Sequence, residues 1–146
     1  MPNSDQTLDK KIDWMGQYLR ARRLRRLARL MLEDAQSRAA DTSPVLRQTP
    51  RAPGPGNRVP KLAEALAQAE HQDRQAALTL RLARQQVCAA IDSLPQPQQR
   101  ELLQRRYLLG QSLVDISRQM HLEYRWVRRL HRRAVEATVQ TGDAAA

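Results

Sequence analysis

Residues 94–139 read LPQPQQRELLQRRYLLGQSLVDISRQMHLEYRWVRRLHRRAVEATV, three short helical patterns separated by two breaks. Proline cannot continue a helix but suits its first turn, so Leu94-Pro95-Gln96-Pro97 predicts a stop followed by a start. The first pattern, Pro97–Leu109, turns Leu102, Leu103 and Tyr107 inward and ends at Gly110. Ser112 is placed to cap the second, which runs to about Met120 with Leu113, Ile116 and Met120 facing a core. A turn at His121-Leu122-Glu123 leads into the third, Tyr124–Val139. Ile116, Met120, Leu122, Val127 and Leu130 are apolar where two helices crossing steeply around so short a turn need a shared core. The spacing predicts a three-helix unit, residues 95–139, that ends in a helix-turn-helix.

The polar residues of the third pattern point to a partner. Between its core positions stand Tyr124, Arg125, Arg128, Arg129, Arg132 and Arg133. The N-terminal part of such a helix, laid in the major groove of duplex DNA, meets base edges. Tyr124, Arg125, Arg128 and Arg129 are therefore the candidate base readers. Arg132 and Arg133, one turn later, suit phosphates, as does Arg118 on the preceding helix. His131 fits the core, a phosphate or solvent equally well. A basic helix turned to solvent is the plainer alternative, and it leaves unexplained why the arginines gather just after the turn.

Leu94-Pro95, Arg100, Leu103, Arg106-Tyr107, Gly110, Asp115-Ile116-Ser117, Val127, Leu130-His131 and Arg133-Ala134 resemble region 4 of sigma-70-type factors, which binds the promoter −35 element. The whole layout is similar to phage transcriptional regulators of the ArpU/RinA late-gene type. Those have a long N-terminal helical segment, a Pro/Gly-rich linker, a second long helix and a sigma-region-4-like end. The resemblance implies sequence-specific binding of double-stranded DNA, a phage or prophage origin, and contact with RNA polymerase. Two positions depart from it. His121 stands where the turn usually holds glycine, and a non-glycine in the left-handed region costs roughly 1 kcal/mol. Glu123 stands where the recognition helix usually opens with Ser or Thr. Its carboxylate favours the helix N-terminus but repels a nearby phosphate.

Upstream, residues 61–94 form a second long helical pattern. Positions 62, 66, 69, 73, 76, 80, 83, 87, 90 and 94 alternate spacings of four and three, and all but Asp73 are Leu, Ala or Val. That is a heptad seam. Residues 41–60, DTSPVLRQTPRAPGPGNRVP, hold five of the eight prolines and two of the five glycines and read as a linker. Residues 1–40 read as one long helix from Ser4 or Asp5. Its apolar stripe is imperfect: Leu8, Ile12, Met15, Leu19, Leu27, Leu30 or Met31, and Ala35, broken near Arg23. The two long helices fold most simply as an antiparallel hairpin, and pairing between chains as a homodimer is left open. The arginines at 20, 22, 23, 25, 26 and 29 spread around the helix, as a solvated face partnered by Glu64, Glu70 and Asp73 or as auxiliary phosphate contacts. Residues 140–146 read as a disordered tail. The expected architecture is all-α: a long coiled-coil-like hairpin followed by a C-terminal three-helix helix-turn-helix unit.

Composition narrows the function classes. Twenty-five Lys+Arg against 15 Asp+Glu leave a formal charge of +10, which attracts polyanions. Only Lys10, Lys11 and Lys61 are lysine; the remaining basic residues are arginine, suited to phosphate and guanine or simply the mark of a GC-rich genome. Two Trp, three Tyr and no Phe give no repeated platform for stacking single-stranded bases. The lone Cys88 excludes an internal disulfide and zinc-finger spacing, and its helical context suits a small buried apolar residue. No apolar run is long enough for a membrane helix, and MPNSDQTLDK lacks a signal-peptide core, so a cytoplasmic protein without membrane partners is expected. No phosphate loop, metal-ligand spacing or acid–base cluster suggests an enzyme, a cofactor or a metal. The expected function is a DNA-binding transcription regulator. The alternatives are a phage DNA-packaging protein of the small terminase type, or a structural coiled-coil protein with incidental charge.

Overall fold

The computed structural model describes residues 4–48 and 58–140, with side chains over 5–41 and 59–140. Among these residues there are six helices and no strand: α1 (Ser4–Met15), α2 (Gln17–Gln48), α3 (Arg58–Asp92), α4 (Pro97–Tyr107), α5 (Leu113–Gln119) and α6 (Tyr124–Ala137). The all-α expectation therefore holds. None of the described helices is long and apolar enough to cross a membrane.

The expected linker is narrower than 41–60, because helical backbone continues to Gln48 and resumes at Arg58. The expected helix over 1–40 is interrupted at Gly16, whose N–H is shared between the carbonyls of Ile12 (3.2 Å) and Asp13 (3.1 Å). Arg20 folds back over that point, donating to the Asp13 carbonyl at 2.8 Å and to its carboxylate at 3.3 Å.

The chain divides into two compact units, Met1–Ala21 with Leu80–Ala146, and Arg22–Thr79, so α2 and α3 each contribute to both. The first unit holds one apolar core. Leu8 and Met15 of α1, Val87, Ala90 and Ile91 of α3, and Leu94 are buried in it. They meet Leu102, Leu103 and Tyr107 of α4, Ile116 of α5, and Val127, Leu130, Ala134 and Val135 of α6. α1 is thus part of the C-terminal unit, packed on α6, and does not belong only to a hairpin. Lys11 fastens it there by donating to the carbonyls of Glu136 (3.0 Å) and Thr138 (3.2 Å) at the end of α6. Such a cation satisfies carbonyls that a helix C-terminus leaves unpaired. Gln140 returns the contact, donating to the Lys11 carbonyl at 3.1 Å. Gln140 is buried, which corrects the tail expected from residue 140 onward; residues 141–146 lie outside the described residues.

In the second unit α2 and α3 run antiparallel. Arg25 pairs with Asp73, and Met31, Ala35 and Arg38 share a shallow groove with Leu62, Ala65 and Ala69. All ten expected seam positions from 62 to 94, nine on α3 and Leu94 just beyond it, are buried or half-buried. Asp73, the one polar member, is 8% exposed and held by Arg25 at 2.9 Å and Arg29 at 3.5 Å. The stripe expected on the first long helix needs correction. Leu27, Leu30 and Met31 are 55%, 62% and 52% exposed, and the inward residues are Ala21, Arg25, Ala28, Leu32 and Ala35. Pairing with Asp73 fixes the rotation of α2. At 100° per residue, Leu27 and Leu30 stand about 160° and 140° around the helix from Arg25, and so face away.

Candidate nucleic-acid interface

The expected start and turn signals act where they were read. Pro97 occupies the first turn of α4, and Gly110, with φ 75°, lets the chain reverse after it. Ser112 caps α5, its hydroxyl accepting the Asp115 N–H at 3.1 Å. α5 then ends in a two-bond cap. Leu122 N–H donates to the Ser117 carbonyl at 2.9 Å, and His121 N–H to the Arg118 carbonyl at 3.4 Å. This pattern requires a left-handed residue between the cap and the exit, usually glycine. His121 fills it with φ 56°. The departure noted in the sequence therefore falls on the strained position itself. Glu123 precedes α6 in extended conformation and makes no side-chain capping bond.

α6 is strongly two-sided. Val127, Leu130, His131, Ala134 and Val135 are buried, while Arg125, Arg128, Arg129, Arg132 and Arg133 are all exposed. At 100° per residue these arginines fall within an arc of about 140°. The apolar face is packed against α1, α4 and α5, so the basic face is the one left to solvent.

Two aromatic rings order part of the arc. The guanidinium of Arg128 lies 5.8 Å from the Tyr124 ring centre; those of Arg129 and Arg133 lie 5.6 and 5.8 Å from that of Trp126. Such cation–π contacts are worth about 0.5–1 kcal/mol at exposed sites, enough to bias a rotamer. Trp126, half-buried against the core, was not among the expected site residues. Its signal was present: arginines three and seven positions downstream share its side of a helix. Arg132 forms a long ion pair with Asp5, at 3.8 Å between exposed groups. Arg118 is exposed on the last turn of α5, the turn leading into α6. Tyr124, 42% exposed, flanks the arc. The structure thus gathers five of the seven expected contact residues on one helical face, with Tyr124 beside it and Arg118 on the neighbouring helix.

Beneath that face His131 has a settled position. It is 7% exposed, its Nε2 lies 2.6 Å from the Tyr107 hydroxyl, and the rings stack with centroids 5.6 Å apart. Burial, and secondarily the Arg106 charge, lower the imidazole pKa to about 4. Burial raises the phenol to about 12 against the opposing pull of Arg106. Both groups are neutral at pH 7, so the pair locks α4 to α6 without a buried charge. Of the three roles open to His131, the structure assigns the core. On the outside, Arg105 braces α4 to α5, binding Glu101 of its own helix at 3.0 Å and also the Gln119 side chain at the end of α5. Compared with family models, curated proteins and solved structures, the chain matches none of them.

Proposed function

We propose that this chain is a sequence-specific double-stranded DNA-binding regulator of transcription, which lays α6 in the major groove. The observation that carries the reading is the five-arginine arc on the helix that follows the tight α5–α6 turn, on a face whose five guanidinium-bearing residues are all exposed. Arg125, Arg128 and Arg129, with Tyr124, lie in the N-terminal half of α6 and are assigned to bases. Arg132, Arg133 and Arg118 are assigned to phosphates. The likeness to sigma region 4 and to ArpU/RinA-type phage regulators agrees with this assignment and adds polymerase as a partner and a phage or prophage as the source. The helical hairpin serves protein contact, as a homodimer or against polymerase. The exposed apolar residues Leu24, Leu27 and Leu30 support that role.

The test is selection from a random pool of duplex DNA across a salt series. An enriched motif whose binding survives moderate salt is the expected result. Binding that disappears with salt and enriches nothing reduces α6 to a charge effect and overturns the reading.

A further inference from the structure

We propose that α6 reads guanine: its preferred duplex carries at least two guanines within about three base pairs, contacted through O6 and N7 in the major groove. The inference rests on the DNA-binding reading and follows from the chemistry of the exposed arc. Across Tyr124–Ala137 the helix holds no Asn, Gln, Ser, Thr or Lys, and its exposed polar groups are arginines, the Tyr124 hydroxyl and Glu136 near the end. Adenine is read by paired donor and acceptor groups on Asn or Gln, which α6 lacks. The two adjacent acceptors of guanine match the two parallel N–H donors of a guanidinium.

Position selects among the arginines. Arg125 and Arg129 are one turn apart near the middle of the exposed arc, with Arg128 on its edge. A four-residue separation is about 6 Å along the axis, against about 3.4 Å per base pair, so the two side chains span roughly two steps. Arg128 and Arg129 are already seated over Tyr124 and Trp126, which leaves each less rotamer freedom to lose on binding. Glu123, just before α6, places negative charge at the N-terminal end of the arc and disfavours phosphate there.

The experiment uses the full chain and 20-base-pair duplexes selected from a random pool, with affinity read by fluorescence anisotropy. Each guanine of the selected core is replaced by 7-deazaguanine, which removes N7 and preserves pairing and backbone charge. Inosine replacement, which removes only the minor-groove amino group, is the control. The expected result is an affinity loss of about tenfold for each guanine that is read, no loss with inosine, and an unchanged salt slope. Arg125→Ala and Arg129→Ala chains should each lose the sensitivity to one replaced guanine. Selected cores without guanine, or cores indifferent to 7-deazaguanine at undiminished affinity, overturn the guanine inference while the DNA reading stands. A pool that enriches no sequence overturns both.

Discussion

Two histidines show how one residue type takes opposite roles a few residues apart. His121 is exposed and holds the left-handed position of the α5–α6 turn. Replacing it by glycine removes a penalty carried by the side chain's Cβ, offset partly by the greater freedom of the unfolded chain. His121→Gly should therefore stabilise the protein by about 0.5–1 kcal/mol in urea unfolding; destabilisation would show that the imidazole makes a contact worth more than the strain. His131 is buried against Tyr107 and resists protonation down to about pH 4. The unfolded imidazole takes up a proton below its ordinary value near 6.5. The stabilising effect of keeping this group neutral is thus complete above pH 6.5 and is lost as the pH falls toward 4. Urea melts at pH 7 and pH 5 should differ by about 2 kcal/mol, and His131→Leu should flatten that difference. An NMR titration placing the folded His131 midpoint near its ordinary value would refute the assignment.

At the scale of elements, the pairing of α2 with α3 depends on a polar contact inside an alanine-rich seam. Ala28 and Ala35 on α2 and Ala69 and Ala76 on α3 bury little area, so Asp73 and Arg25 weigh heavily on how α2 is rotated. Asp73→Asn leaves Arg25, itself half-buried, and Arg29 beside it without their shared counter-charge and should cost about 2 kcal/mol; Arg29, more than half exposed, adds little to that loss. The double change Arg25→Leu with Asp73→Leu should be near neutral or stabilising, because it completes an apolar heptad. An additive loss in the double mutant would show that the pair contributes nothing beyond its separate side chains. Within α6 the proposed division of labour is also separable. Arg129→Ala should weaken binding to a selected duplex by about 1–3 kcal/mol and spare random duplex. Arg132→Ala should weaken both and lower the salt slope by about one. Identical behaviour of the two variants would sink the division.

Across the whole molecule, the N-terminal and C-terminal ends of the chain close one core. Leu8 of α1 is 5% exposed among residues contributed from beyond position 86, and Lys11 and Gln140 tie the two ends by backbone contacts. The unit presenting α6 is therefore incomplete without α1, although the sequence from Leu94 onward has the look of a self-sufficient module. Leu8→Ala should destabilise the protein by about 2–3 kcal/mol, and a fragment of residues 94–140 should show little cooperative unfolding by circular dichroism. A fragment that melts as sharply as the full chain would mean that α1 only rests on a finished core.

Local rules made much of this legible before any coordinates. Proline and glycine punctuation marked α4, the Ser112 cap marked α5, and the heptad spacing named nine positions of α3, and Leu94 just after it, that all turn inward. The clustering of arginines on α6 was equally visible, because helical periodicity depends only on spacing along one segment. What needed the tertiary structure was every choice between faces or partners distant in sequence. Leu27 and Leu30 of α2 look like its core, yet a salt bridge to a residue 48 positions away turns Ala28 and Ala35 inward instead. The Tyr107–His131 lock spans 24 residues, and the Lys11 clamp on α6 spans more than a hundred. Periodicity says which residues share a face. Only packing and charge pairing between elements set what that face meets, since the free energy that chooses comes from contacts the sequence order does not record.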